Sequence, residues 1–176
     1  RFENPTPDFI ERIQYKASFE FISLLDKFIL YMENNYFKAT DIKLTKYITI
    51  PAEFINEQFK RFHRYPIRQR FETMTDYILE MMQLQYNLTV STPEKNQLNK
   101  EIKKMFAGNN DLQIYKDFFE WIGRPEMFKT RKNRILEYAD LAPLAYLHIA
   151  LNGNNVQSYV KHLLIDEMQD YSPIQY

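Results

Sequence analysis

The residues best suited to chemistry lie near the end of the sequence, in Leu163-Leu164-Ile165-Asp166-Glu167-Met168-Gln169-Asp170. Val160 to Ile165 has the length of a strand, and its unbroken apolar part, Leu163-Leu164-Ile165, has the character of one buried on both faces of a parallel sheet. Such strands present functional groups at their carboxyl ends, where ligands bind. Two adjacent acids there have separate uses. Asp166 can hold Mg²⁺, directly or through water, opposite nucleotide phosphates, and Glu167 can orient and deprotonate an attacking water. Gln169 is placed to sense a terminal phosphate and Asp170 to hold the following loop. An isolated Asp-Glu pair after a strand would be read as a polar turn; the surrounding string is what argues otherwise.

Two basic runs could bind a polyanion. Lys60, Arg61, Arg64, Arg68 and Arg70, with His63 among them, form a stretch without a carboxylate. Lys129, Arg131, Lys132 and Arg134 form the second. One reading is contact with a nucleic-acid backbone, with Phe62, Tyr65 or Phe128 as stacking partners. The other is a solvated helix end, where cations suit the negative end of the dipole. His63, His148 and His162 lack metal-site spacing, so no zinc is expected; His148 falls inside an apolar helix, as a core or interface residue would. Trp121, beside Phe118, Phe119 and Ile122, reads as a packing anchor.

The elements that must position these groups are mostly helical. The 176 residues include 28 aromatics but only three glycines, which argues against a turn-rich β fold. Cysteine is absent, which excludes disulfides, Cys-ligated zinc, iron–sulfur clusters and thiol nucleophiles. Lys plus Arg, at 23, equals Asp plus Glu, so any affinity for a polyanion must come from local patches. No apolar stretch is long enough for a membrane span and Arg1-Phe2-Glu3-Asn4-Pro5 has no signal-peptide shape, so a cytoplasmic protein is expected.

Thr6-Pro7-Asp8 opens a helix whose apolar stripe, Ile10, Ile13, Ala17, Phe21, Leu24, Phe28 and Tyr31, runs to Asn34-Asn35. Asp41 to Ile50 reads as a short strand or hairpin. Pro51 and Pro66 start two further helices. Another begins at Thr92-Pro93-Glu94 and should be stopped by a left-handed Gly108. Asp111 to Ile122, closed by Gly123, and Asp140 to Leu151, closed by Gly153, complete the helical body. The expected fold is therefore mainly α: a helical domain over residues 1–153 with a short β hairpin or strand. Residues 154–176 would add one strand to a parallel α/β sheet.

The tail string resembles the second motif (Walker B) of superfamily 1 helicases of the UvrD/Rep-like branch. The continuation Tyr171-Ser172-Pro173-Ile174-Gln175-Tyr176 is similar to that of HelD-type ATPases, relatives of DNA helicase IV whose Gram-positive members release RNA polymerase from DNA. Tyr138-Ala139-Asp140-Leu141-Ala142-Pro143, Tyr15-Lys16-Ala17-Ser18-Phe19-Glu20-Phe21 and Ile48-Thr49-Ile50-Pro51-Ala52-Glu53 also look like HelD sequences. The resemblance implies an ATP- and Mg²⁺-dependent motor, with Asp166 holding the metal and Glu167 acting as general base. It implies a helical inserted domain that contacts duplex DNA or RNA polymerase. The phosphate loop Gly-x-x-x-x-Gly-Lys-Ser/Thr is missing, since Gly108, Gly123 and Gly153 are not followed by Lys-Ser or Lys-Thr. Together with a first residue that is not Met, this gives the expectation of an internal piece of a larger motor, inactive alone. A binding module without chemistry, with RNA polymerase or DNA as partner, is the alternative.

Overall fold

The structure is a computed structural model, and it describes residues 6–108, 110–130 and 136–153. The described chain is mainly helical, as expected: α1 Pro7–Lys16, α2 Phe19–Asn35, α3 Ala52–Arg61, α4 Ile67–Tyr86, α5 Thr92–Lys104, α6 Asp111–Trp121 and α7 Leu141–Asn152. Two short strands, β1 Ile42–Lys43 and β2 Thr49–Ile50, pair antiparallel with Ile42 opposite Ile50 and Lys43 opposite Thr49. Thr45 closes the connection, its Oγ1 accepting from the backbone N–H groups of Tyr47 and Ile48. The expected strand Val160–Ile165 and the boundary at 153/154 lie outside the described residues, as do Asp166, Glu167, Gln169 and Asp170.

Most helix ends follow from local sequence. Thr6 caps α1 through Phe9 N–H, with Pro7 at the first position. Ser91 and Glu94 form a reciprocal capping box on α5. Pro51 offers α3 no side-chain cap; instead Asp41 Oδ1, brought alongside by the hairpin, accepts from Ala52 N–H at 2.7 Å. Gly123 follows α6 and Gly153 follows α7, both left-handed at φ +73° and +78°.

Three expectations change. The single long helix over residues 7–35 is two helices. Ser18 interrupts it: its Oγ donates to Tyr15 O and accepts from Phe21 N–H, ending one turn and starting the next. The buried stripe of α2 is consequently Phe21, Leu25, Phe28 and Met32, rather than one through Leu24 and Tyr31, while Ile10 and Ile13 of α1 stay 44% and 39% exposed. Gly108 does not stop α5, nor is it left-handed. The helix ends at Lys104 because the next residues are drawn into backbone pairing: Lys38 N–H bonds to Met105 O, Ala107 N–H bonds to Tyr36 O, and Phe37 faces Phe106.

The chain folds as two compact units. Among the described residues, one comprises 6–30, 110–130 and 136–149, and the other 31–108 and 150–153. In the first, Phe21 and Phe28 of α2 pack on Phe118 of α6, with ring centroids 5.3 and 5.5 Å apart, and Tyr115 meets Phe119 edge-on at 4.8 Å. In the second, Phe37, Phe59 and Phe71 stack, the closest pair 4.2 Å apart, and Phe106 leans on Phe71. Aromatic pairs in such offset and edge geometries add to the burial of their large areas.

Candidate nucleic-acid interface

The basic run at residues 60–70 is divided by the turn between α3 and α4. Lys60 and Arg61 occupy the last turn of α3, where they complement the helix dipole, and both are exposed. Arg61 lies over the Tyr77 ring and donates to its hydroxyl at 2.6 Å. His63 and Arg64 are exposed in the turn. Arg68 is half-buried, its Nη1 donating to Asn152 Oδ1 at 3.0 Å.

Arg70 departs from the expectation of a cation facing a polyanion. Only 2% exposed, it donates to Tyr65 O, His63 O and Glu33 Oε1 at 2.8–2.9 Å and lies over the Phe59 ring. Its guanidinium ties together the α3–α4 turn, and it has no face left to offer a phosphate. Phe62 is half-buried and meets Tyr65 and Tyr77 edge-on. Of the second run, Lys129 is exposed, whereas Arg131, Lys132 and Arg134 lie outside the described residues. Phe128, proposed for stacking, instead packs against Tyr115 and Phe119. His148 pairs with Asp111, Nδ1 to Oδ2 at 2.5 Å, and Trp121 packs tilted against Phe28, centroids 5.5 Å apart, a packing contact as expected.

The structure gathers a further set of cations that the runs did not show. Lys100, Lys103 and Lys104 project from α5 on the side away from its buried residues Leu98 and Ile102. With Arg68 they line a cavity of about 560 Å³ together with Phe71 and Phe106, and among the described residues no carboxylate lines it. Lys104 also borders a second cavity, about 810 Å³, whose wall includes Tyr31, Tyr36, Lys38 and Lys43. The signal was present as the spacing i, i+3, i+4 on one helix; the contribution of Lys38 and Lys43, from a distant stretch of sequence, had none.

A separate cluster of charges is structural. Lys16, its side chain fully excluded from water, places Nζ 2.7 Å from Asp140 Oδ1 and 3.2 Å from Glu137 Oε2. Arg12 grips Glu137 through Nε at 2.9 and 3.0 Å, and Tyr115 donates its hydroxyl to Asp140 at 2.6 Å. Burial pushes the Asp140 carboxyl above its ordinary range, partly opposed by Lys16 and the Tyr115 hydroxyl. Burial acts the same way on Glu137, but the bonds and charges of Arg12 and Lys16 together outweigh it and hold that carboxyl low.

No family model matches this chain, and no curated protein or solved structure shows significant similarity to it.

Proposed function

We propose that the chain contributes an accessory helical domain and the second ATPase motif to a superfamily 1, HelD-like DNA helicase or polymerase-recycling motor. The observation that carries this reading is the string Leu163-Leu164-Ile165-Asp166-Glu167-Met168-Gln169-Asp170, in which a strand-like apolar run delivers two adjacent acids. Its donor chemistry fits Mg²⁺, a hard cation that prefers carboxylate oxygen, with Asp166 the residue that would hold it. When bound, the metal neutralises phosphate charge. Glu167 would take the proton from the attacking water, and Gln169 would sense the terminal phosphate. The apolar run would join a parallel α/β sheet, and the phosphate loop would come from sequence outside these 176 residues.

The test is Glu167→Gln in a protein that also carries the phosphate loop. Loss of a general base lowers turnover by about 10²–10⁴-fold, while nucleotide binding stays close to that of the parent. Unchanged turnover refutes the role. The exposed cations Lys60, Arg61 and Arg64 favour a second reading, a non-catalytic module that binds duplex DNA or RNA polymerase. Duplex affinity that falls steeply with salt and weakens on Arg64→Ala supports DNA as the partner. No duplex binding at low salt points to the protein.

A further inference from the structure

We propose that the second compact unit carries a track for single-stranded nucleic acid, running through the two cavities that meet at Lys104. The inference is independent of the motor reading and does not involve the acids of the tail.

The track begins with charge. Arg68 from α4, Lys100, Lys103 and Lys104 from α5, Lys38 from the segment after α2 and Lys43 from β1 border the two cavities. Against these six cations stand two carboxylates, Asp41 and Glu101, both in the larger cavity. Asp41 is already committed to the first backbone N–H of α3. Among the described residues, Lys100, Lys103 and Lys104 make no ion pair. The dipole of α5 accounts for lysines in its last turn, Lys103 and Lys104, but not for Lys100 a turn earlier or for cations arriving from three other segments. Like charges held together repel one another, and a polyanion relieves that repulsion.

The shape then selects the class of polyanion. The backbone bonds of Lys38 to Met105 and Ala107 to Tyr36 set the tyrosine-bearing wall against the end of α5. Tyr31 and Tyr36 meet edge-on, centroids 6.4 Å apart, and Tyr31 is 39% exposed on the wall of the larger cavity. The cations are divided between the two cavities, Lys38 and Lys43 in the larger, Arg68, Lys100 and Lys103 in the other and Lys104 on both, instead of lining one pocket as they would around a single phosphate. A basic groove with aromatic rings along it is the arrangement that binds unpaired strands, since every base has a face to stack. In a duplex those faces are covered by neighbouring bases.

The experiment uses fluorescence anisotropy with the whole chain and a labelled oligothymidylate of about 20 nucleotides, long enough for several contacts. Binding should weaken steeply with salt. The triple variant Lys100→Gln, Lys103→Gln, Lys104→Gln should flatten the log–log salt slope by about 2, at roughly 0.7 per lost phosphate contact on a single strand. Tyr31→Ala should weaken binding by about tenfold and leave the slope unchanged. Circular dichroism of both variants should match the parent, because the altered side chains are exposed. Absence of binding at low salt overturns the proposal, as does an unchanged slope in the triple variant. Duplex of the same length bound as tightly as the single strand also overturns it. So does inorganic triphosphate displacing the strand while Tyr31→Ala has no effect, which would mark an anion site alone. Strand binding is read without nucleotide or Mg²⁺, so a failed motor reading and a failed track are separable.

Discussion

Replacing Lys16 with Met would test the buried charge cluster most directly. The substitution keeps an unbranched apolar stem in the space and removes only the ammonium. Glu137 retains Arg12, which donates to it from both Nε and Nη2, so the group left without a cation is Asp140, whose side chain is fully excluded from solvent. It keeps one partner, the Tyr115 hydroxyl, while its Oδ2 has no hydrogen bond among the described residues. Orphaning one member of a buried pair costs about 3–5 kcal/mol, and the surviving tyrosine bond places this case near the lower end, about 3 kcal/mol. For a chain of this length that corresponds to a fall in Tm of roughly 6–12 °C.

The pH dependence supplies a sharper signature. A carboxyl whose folded pKa lies above its unfolded value contributes stability that is present below the unfolded pKa and lost as pH rises through the folded one. Asp140 is such a group, and removing Lys16 takes away the charge that opposes its upward displacement. Glu137 runs the other way: its contribution is present above its unfolded pKa and lost as pH falls through the folded value. The penalty for Lys16→Met should therefore shrink on acidification, as Asp140 takes up a proton and ceases to be an orphaned charge. Urea unfolding followed by the fluorescence of Trp121, the only tryptophan and a resident of the same unit, reads this directly. Adding Asp140→Asn should restore most of the lost stability, because the amide oxygen still accepts from Tyr115. A penalty below about 1 kcal/mol near neutral pH, or one that does not change with pH, refutes the reasoning.

Two other substitutions separate structural from surface roles. Arg70→Lys should destabilise by about 3 kcal/mol in urea unfolding, since one ammonium cannot reproduce the fork that reaches Tyr65 O, His63 O and Glu33; Arg64→Lys should stay within about 0.5 kcal/mol. Gly153→Ala should cost about 2–3 kcal/mol, combining left-handed strain with a Cβ 2.5 Å from Gln69 Nε2, which would have to give up its bond to Asn152 O. Gly123→Ala meets open space at a similar φ and should cost only about 1 kcal/mol, so equal losses at the two sites would contradict the packing at Gly153.

Local chemistry made much of the fold legible in the sequence. Prolines at helix starts, the Thr6 cap and the glycines at 123 and 153 act through the nearest few residues, and each expected boundary there holds. The hairpin was visible because its apolar residues, Ile42 and Ile50, are opposed across one short connection. What could not be read depends on distant partners. Ser18 divides a continuous apolar pattern using two local bonds that periodicity does not register. Lys104 ends α5 because residues near position 37 compete for the following backbone, and nothing around Gly108 signals that competition. The cluster of Lys16, Glu137 and Asp140 spans more than a hundred residues of chain, and its members look like ordinary helix-surface charges when taken singly.

The cations show why composition is a poor guide to charge function in a chain of zero formal net charge. Lys60 to Arg70 holds five cations and no carboxylate, yet turn geometry disperses it: two charges end a helix, one is exposed in the turn, one is half-buried on Asn152 and one supports the core. Lys100, Lys103 and Lys104 are interrupted in sequence by Glu101 and Ile102, and helical rotation sends Ile102 into the core while the three lysines stay exposed. A helix turns about 100° per residue, so adjacency in sequence separates side chains and a spacing of three or four unites them. The pairing of residues 36–38 with 105–107 then brings in Lys38 and the tyrosines, which no helical periodicity could supply. An electropositive surface on this protein is thus a product of register and tertiary pairing, and its residues are identified by where the backbone carries them.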